Sequence, residues 1–207
     1  MRSFFKFFTI AIFSCFGYAT IMADDLLIID DRRTGDYRSS SGTSWRLITD
    51  GVMGGVSNGR LAPDTVDNRP CLRLRGEVRL ENSGGFVQAA LDITPQTASA
   101  AQEYKGILLE VHGNAEQYNV HLRTSDIRLP WQAYRATFQA PAGWHTVRLP
   151  FAEFSGYRIR SPLETGRLER IGIVAIGRAF AADLCVARLA LYRDAAPATT
   201  PIPGTDN

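Results

Sequence analysis

A chain of 207 residues with 45% hydrophobic and 21% charged residues is long enough for one sizeable core and has the balance of an ordinary globular protein, which excludes a disordered chain. The formal charge is +2, and Arg2 and Lys6 at the extreme N-terminus account for the excess, so the rest is formally neutral. That balance gives no general attraction for nucleic acid or an anionic membrane, and neither is expected as a partner.

The first 23 residues, MRSFFKFFTIAIFSCFGYATIMA, run from a basic start through an apolar stretch to small residues before Asp24 and Asp25. This is the layout of a cleaved secretory signal peptide ending at Ala23. Its apolar run is shorter than the ~20 residues a membrane-spanning helix needs, so no stable span is expected after cleavage. The expected location is the periplasm or the exterior of the cell. Residues 24–194 then form the domain, and the Pro- and Thr-rich 195–207 reads as a disordered tail.

Within the domain the dominant signal is alternation with period two, interrupted by Gly, Pro, Asn and Asp. It predicts strands at 45–49, 71–80, 85–93, 106–113, 117–124, 131–139, 144–151, 170–177 and 183–193. The segment 94–105 suits a turn or two of helix and 161–172 another short one. Many short strands without crossover helices predict an all-β jelly-roll sandwich rather than a parallel α/β fold. Two cysteines, Cys71 and Cys185, lie in the domain, in an early and the last strand. In an oxidising compartment they form either a disulfide or two separate buried thiols.

The densest motif is WRLITDGVMGGVSNGRL, residues 45–61. Asp50-Gly51 and Asn58-Gly59 read as two-residue hairpin turns that fold three short strands on one another. Gly54-Gly55 reads as a bulge or a close backbone approach. The spacing fits no phosphate-binding pattern. Met53 is either packed by the glycines of SGGF (83–86) or offered to a partner.

Taken with LRGEVRLENSGGF (74–86), YKGILLEVHGNAEQYNVHLRT and YRATFQAPAGWHTVRLPFAEF, this motif resembles the domain of complex I intermediate-associated protein 30, in order along nearly the whole domain. The resemblance implies a galactose-binding-like jelly roll and a chaperone-like role in assembling a respiratory complex through protein contacts. It brings no catalytic motif and no cofactor. The matching positions, Asp50, Gly51, Met53, Gly54, Gly55, Gly84, Gly85, Phe86 and Trp144, are identifying and mainly structural marks.

The residues themselves offer little catalytic chemistry: no hydrolase or metalloprotease motif occurs, so the protein reads as non-enzymatic. Treating 106–124 as one hairpin places Glu110, His112, His121 and Arg123 on a common polar face. That face is either a ligand surface or a solvated one with Glu110 paired across the strands. Two histidines without sulfur ligands fall short of a structural zinc site. A structural calcium ion stays open, since 30–36 and 62–68 offer carboxylates, though without a ligand-loop pattern. Trp45 and Trp144 read as core. Trp131, at a strand start, is either a covering residue or a platform for a sugar ring, and a glycan is accordingly the alternative ligand.

Overall fold

Alternating apolar positions require two sheets that face each other, and the chain builds them with connections that repeatedly change sheet. The computed structural model describes residues 26–193; the leader and tail readings fall outside these residues. The strands are β1 (Leu26–Asp30), β2 (Trp45–Thr49), β3 (Asn58–Val66), β4 (Arg69–Val78), β5 (Phe86–Asp92), β6 (Gly106–Gly113), β7 (Glu116–Thr124), β8 (Ala133–Ala140), β9 (Gly143–Pro150), β10 (Ser155–Tyr157), β11 (Leu168–Ile176) and β12 (Phe180–Tyr192). One short helix, α1 (Pro95–Ala101), is capped by the Thr94 hydroxyl.

The first sheet has the order β3-β4-β12-β6-β9, with β1 also on β12; the second has the order β10-β8-β7-β11-β5-β2. Every pair is antiparallel. Leu72, Leu74, Leu109, Val111 and Leu184 of the first sheet meet Val87, Leu91, Tyr118, Val120, Leu122 and Ile171 of the second in one core. This is the all-β jelly-roll sandwich expected from the strand pattern, of the galactose-binding-like kind that the resemblance implies.

Three expectations change. First, 106–124 is not a hairpin: β6 lies in the first sheet and β7 in the second. The apolar residues of both strands point inward from opposite sides, so their polar residues lie on opposite outer faces. Second, Asp50-Gly51 does not close a hairpin, because β2 pairs with β5 and Asp50–Met53 forms a 3₁₀ turn leading to the other sheet. Third, Asn58-Gly59 opens β3, opposite Glu77 and Gly76. The β3–β4 hairpin turns instead at Asp67-Asn68, both at positive φ, as a two-residue turn of the primed type demands. Pro63 inside β3 is tolerated because β3 is an edge strand.

Cys71 on β4 and Cys185 on β12 are disulfide-bonded, with Cα atoms 5.5 Å apart. The bridge lies on the outer face of the first sheet, against Val66 and Trp144. It links positions 114 residues apart in sequence. Such a long closed loop strongly restricts the unfolded chain, and its loss is expected to cost about 2–5 kcal/mol. Denaturant unfolding of the Cys71→Ala/Cys185→Ala double variant checks this; a midpoint equal to that of the oxidised parent refutes it.

Candidate functional site

Asp50 is fully buried, at the point where β2 leaves the second sheet. Its Oδ1 accepts the Ser57 amide at 3.0 Å, and its Oδ2 accepts the Ser57 hydroxyl and the amides of Gly85 and Phe86. Burial pushes its pKa up, but the donors from Ser57, Gly85 and Phe86 outweigh it, and the net shift is downward. The glycines make room for this carboxylate. A Cβ on Gly55 would lie 2.3 Å from the Asp50 Cγ; one on Gly84 would lie 2.4 Å from Oδ2 and 2.8 Å from the Gly55 Cα. The close backbone approach read from Gly54-Gly55 is therefore between Gly55 and Gly84. Gly51 donates to the Thr49 hydroxyl, and Gly54 and Gly85 take positive φ.

Around this knot the loop turns apolar side chains outward. Val52 is 74% exposed, Met53 52% and Val56 37% on the 50–57 connection, and Leu80 is 51% exposed on the 79–85 connection.

The remaining candidates separate onto two faces. On the first sheet, Glu110 pairs with Arg69 and with Arg188. His112 meets Trp144 edge-on at 5.6 Å and lies 3.9 Å from Asp67. Trp144 is not in the core between the sheets. It lies over the disulfide on the outer face, under the Arg69 guanidinium, whereas Trp45 is in the core and donates its indole N–H to Asp30.

On the second sheet, one row across the strands reads Arg135, His121, Gly172, Ala90, Arg46, and a neighbouring row reads Arg123, Arg170, Asp92. A further row holds Thr137, Asn119, Val174 and Gln88. His121 is only 8% exposed and its Nε2 has no hydrogen-bond partner. Burial, and then the Arg135 cation, bring its pKa down to about 3, so it is neutral near pH 7. Trp131 precedes β8 in the loop 125–132 rather than starting a strand, and is 44% exposed. Arg123 Nη1 donates to the carbonyls of Leu129, Pro130 and Gln132, and Arg135 Nη2 to that of Trp131 at 3.4 Å. At the end of this face a cleft of about 560 Å³ lies between α1 and the 165–168 segment, lined by Asp92, Arg123, Ser125, Arg167, Glu169 and Arg170. Among the described residues no three His, Cys, Asp or Glu side chains gather as a metal site. The carboxylates of 30–36 serve internal partners: Asp30 holds Arg32 and Trp45, and Asp31 holds Arg33 and Ser40.

A family model for complex I intermediate-associated protein 30 matches residues 35–186. The chain belongs to that family. A search of curated proteins finds no match. Among solved structures, the family 11 carbohydrate-binding module of a cellulosomal cellulase of Clostridium thermocellum aligns with a TM-score of 0.60 at 10% identity, over 82% of this chain and 95% of that one. The same kind of module, solved with a β-1,3-1,4-mixed-linked tetrasaccharide, aligns at 0.58 and 10%, over 72% and 88%. An exo-β-agarase aligns at 0.56 and 7% identity, over 83% of this chain and 26% of that one. At these identities the likeness speaks for the fold.

In this complex I intermediate-associated protein 30 domain, Gly55 and Gly84 are explained by one carboxylate, since a Cβ at either would collide with Asp50. Arg46, Asp92 and Arg170 of the second face escape the sequence reading. The signal for them was present in the outward phase of β2, β5 and β11, but which strands are neighbours was not.

Asp50→Ala leaves the Ser57 and Gly85 donors buried and unpaired, at an expected cost of about 2–5 kcal/mol. Because the folded pKa of Asp50 is depressed, its contribution is complete above the unfolded value of about 3.9 and is lost as pH falls through the folded value. Thermal melts of wild type and Asp50→Asn across that range check the sign: the wild-type advantage shrinks in acid. A constant gap at every pH refutes it.

Proposed function

We propose that the protein is an exported, non-enzymatic docking module that binds an apolar segment of a protein partner at the motif end of the sandwich. The observation that carries this reading is the exposure of Val52, Met53 and Val56 on one connection and Leu80 on another, both tied to the buried Asp50 carboxylate. Exposed apolar residues on a preorganised loop lose little entropy on docking, so the contact area is converted efficiently into affinity. Membership of an assembly-factor family supports the same reading, and the signal-like first 23 residues and the disulfide support export. The test is a photo-cross-linking residue placed at position 53 in living cells. A discrete adduct is expected, reduced at least tenfold by Val52→Asp with Leu80→Asp; these exposed sites leave the melting temperature nearly unchanged. Absence of an adduct, or the same adducts from a cross-linker at position 146 on the first sheet, sinks the reading.

A second reading, saccharide binding, is favoured by the outer face of the second sheet. Trp131 is exposed at the rim of that face, and Asn119, Thr137 and Gln88 form a row of hydrogen-bonding groups farther along it. A fold neighbour holds a mixed-linked tetrasaccharide, which gives the reading a precedent in architecture. Glycan-array screening is expected to return hits that Trp131→Ala removes; silence on every glycan defeats it.

A further inference from the structure

Most arginines described in this protein sit beside a carboxylate that neutralises them. Arg46 and Arg170 share Asp92, Arg69 and Arg188 share Glu110, and Arg73 is held between Asp64 and Asp183. Arg123 and Arg135 are different. Both are half-buried in the outer face of the second sheet, and neither makes an ion pair with any described residue. Burial pulls both pKa values below the ordinary arginine value; Arg170 adds to this at Arg123 and Arg158 at Arg135, while Glu169 opposes it at Arg123 and Tyr157, whose ring the Arg135 guanidinium covers at 3.6 Å, opposes it at Arg135. A partly desolvated cation without an ion pair is costly.

The two cations are also neighbours. Arg135 stands opposite His121, two positions along β7 from Arg123, which makes them a diagonal pair across adjacent strands. Between and beneath them lies the His121 ring, neutral, more than nine-tenths buried, with Nε2 unsatisfied; Arg135 Nε is likewise buried and unsatisfied. Arg123 spends Nη1 on three loop carbonyls, and its Nε and Nη2 make no hydrogen bond to any described residue. Two cations without an ion pair, with donors to spare, thus stand side by side on this face.

What surrounds them narrows the class of ligand. From Arg123 to Gln117 the face runs for about 20 Å, with side chains in rows roughly 7 Å apart. Along β7 and β8 its other outward groups are neutral amides and hydroxyls, Asn119, Thr137 and Gln139, with Gln88 farther across on β5; the charges of Arg46 and Arg170 on the same face share Asp92. Trp131 rises at the rim, its loop clamped through main-chain carbonyls by the two arginines in question. A strip of neutral hydrogen-bonding groups, exposed rings at Trp131 and Tyr157, and two guanidiniums without an ion pair, one of them laid on Tyr157 at 3.6 Å, suit a chain of sugar rings bearing oxyanions. A small free anion would use neither the strip nor the rings. A nucleic acid would call for several stacking rings and a longer run of positive charge.

We propose that the outer face of the second sheet binds an acidic oligosaccharide, with a ring on Trp131 and its oxyanion groups, carboxylate or sulfate, at Arg123 and Arg135. This rests on the saccharide reading given above and sharpens it. The guanidinium fork matches either oxyanion, so both kinds of sugar belong in the test.

The experiment is calorimetric titration of the full exported domain with four probes of equal length. These are an oligogalacturonate, its carboxyl-reduced neutral counterpart, a sulfated galactan oligomer and a single-stranded oligonucleotide. One acidic sugar is expected to bind at least tenfold more tightly than the neutral counterpart, and to weaken several-fold as salt is raised. Which acidic sugar prefers the site tells carboxylate from sulfate. Trp131→Ala is expected to lose binding of every sugar, and Arg135→Gln to bring the acidic sugar down to the neutral level. Equal binding of acidic and neutral sugars overturns the acidic assignment and leaves the saccharide reading standing. Binding of no sugar defeats both. Oligonucleotide binding as tight as that of the best sugar overturns the ligand class. If Arg135→Gln does not fold, the comparison of acidic with reduced sugar on the wild-type protein still decides.

Discussion

The buried carboxylate of Asp50 is the interaction on which the motif end of the sandwich depends. Two connections cross between sheets there, residues 50–57 from β2 to β3 and residues 79–85 from β4 to β5. A chain that leaves a ladder carries amides that have lost their partners and must find others before they can be buried. Asp50 supplies acceptors to both crossings at once, through Ser57 on one and Gly85 and Phe86 on the other. Gly55 and Gly84 follow from that single requirement.

The same solution recurs at other crossings. Between β1 and β2, Asp30 takes the Arg32 guanidinium, the Arg32 amide and the Trp45 indole. Between β6 and β7, the Tyr118 hydroxyl donates to Asn114 and accepts the Asp183 amide of β12, while Asn114 reaches the Ala181 carbonyl. The apolar core holds the sheets together; these polar knots specify where the chain passes from one to the other. Buried polar groups of this kind stabilise only when their partners are in place, so they discriminate against alternative strand orders more than they add to net stability.

With the inner faces committed to the core, binding must use the ends and outer faces, and these are unlike one another. The outer face of the first sheet is closed electrostatically by Glu110, Asp64 and Asp183 and covalently by the disulfide. That of the second sheet keeps Arg123 and Arg135 outside any ion pair among the described residues, and an exposed Trp131. The motif end displays exposed apolar side chains around the Asp50 knot.

Strand content was legible in the sequence because alternation is a local property. WRLIT, GILLEVHG and QYNVHLRT announce one buried and one solvated face whatever their neighbours are. The family, too, was legible, since a motif is a string. Adjacency was not. His112 and His121 have phases that look alike along the chain, yet they sit on opposite outsides of the molecule because β6 and β7 belong to different sheets. Asp50-Gly51 and Asn58-Gly59 have the composition of hairpin turns, but an aspartate whose side chain is consumed by Ser57 and Gly85 closes no hairpin. Sequence by itself determined an all-β domain of a recognisable family with a cysteine pair available for bridging. Only the tertiary structure decided which strands touch, that Cys71 and Cys185 meet, and that Arg123, Arg135 and Trp131 share a face, because pairing between distant strands depends on the whole core rather than on any one segment.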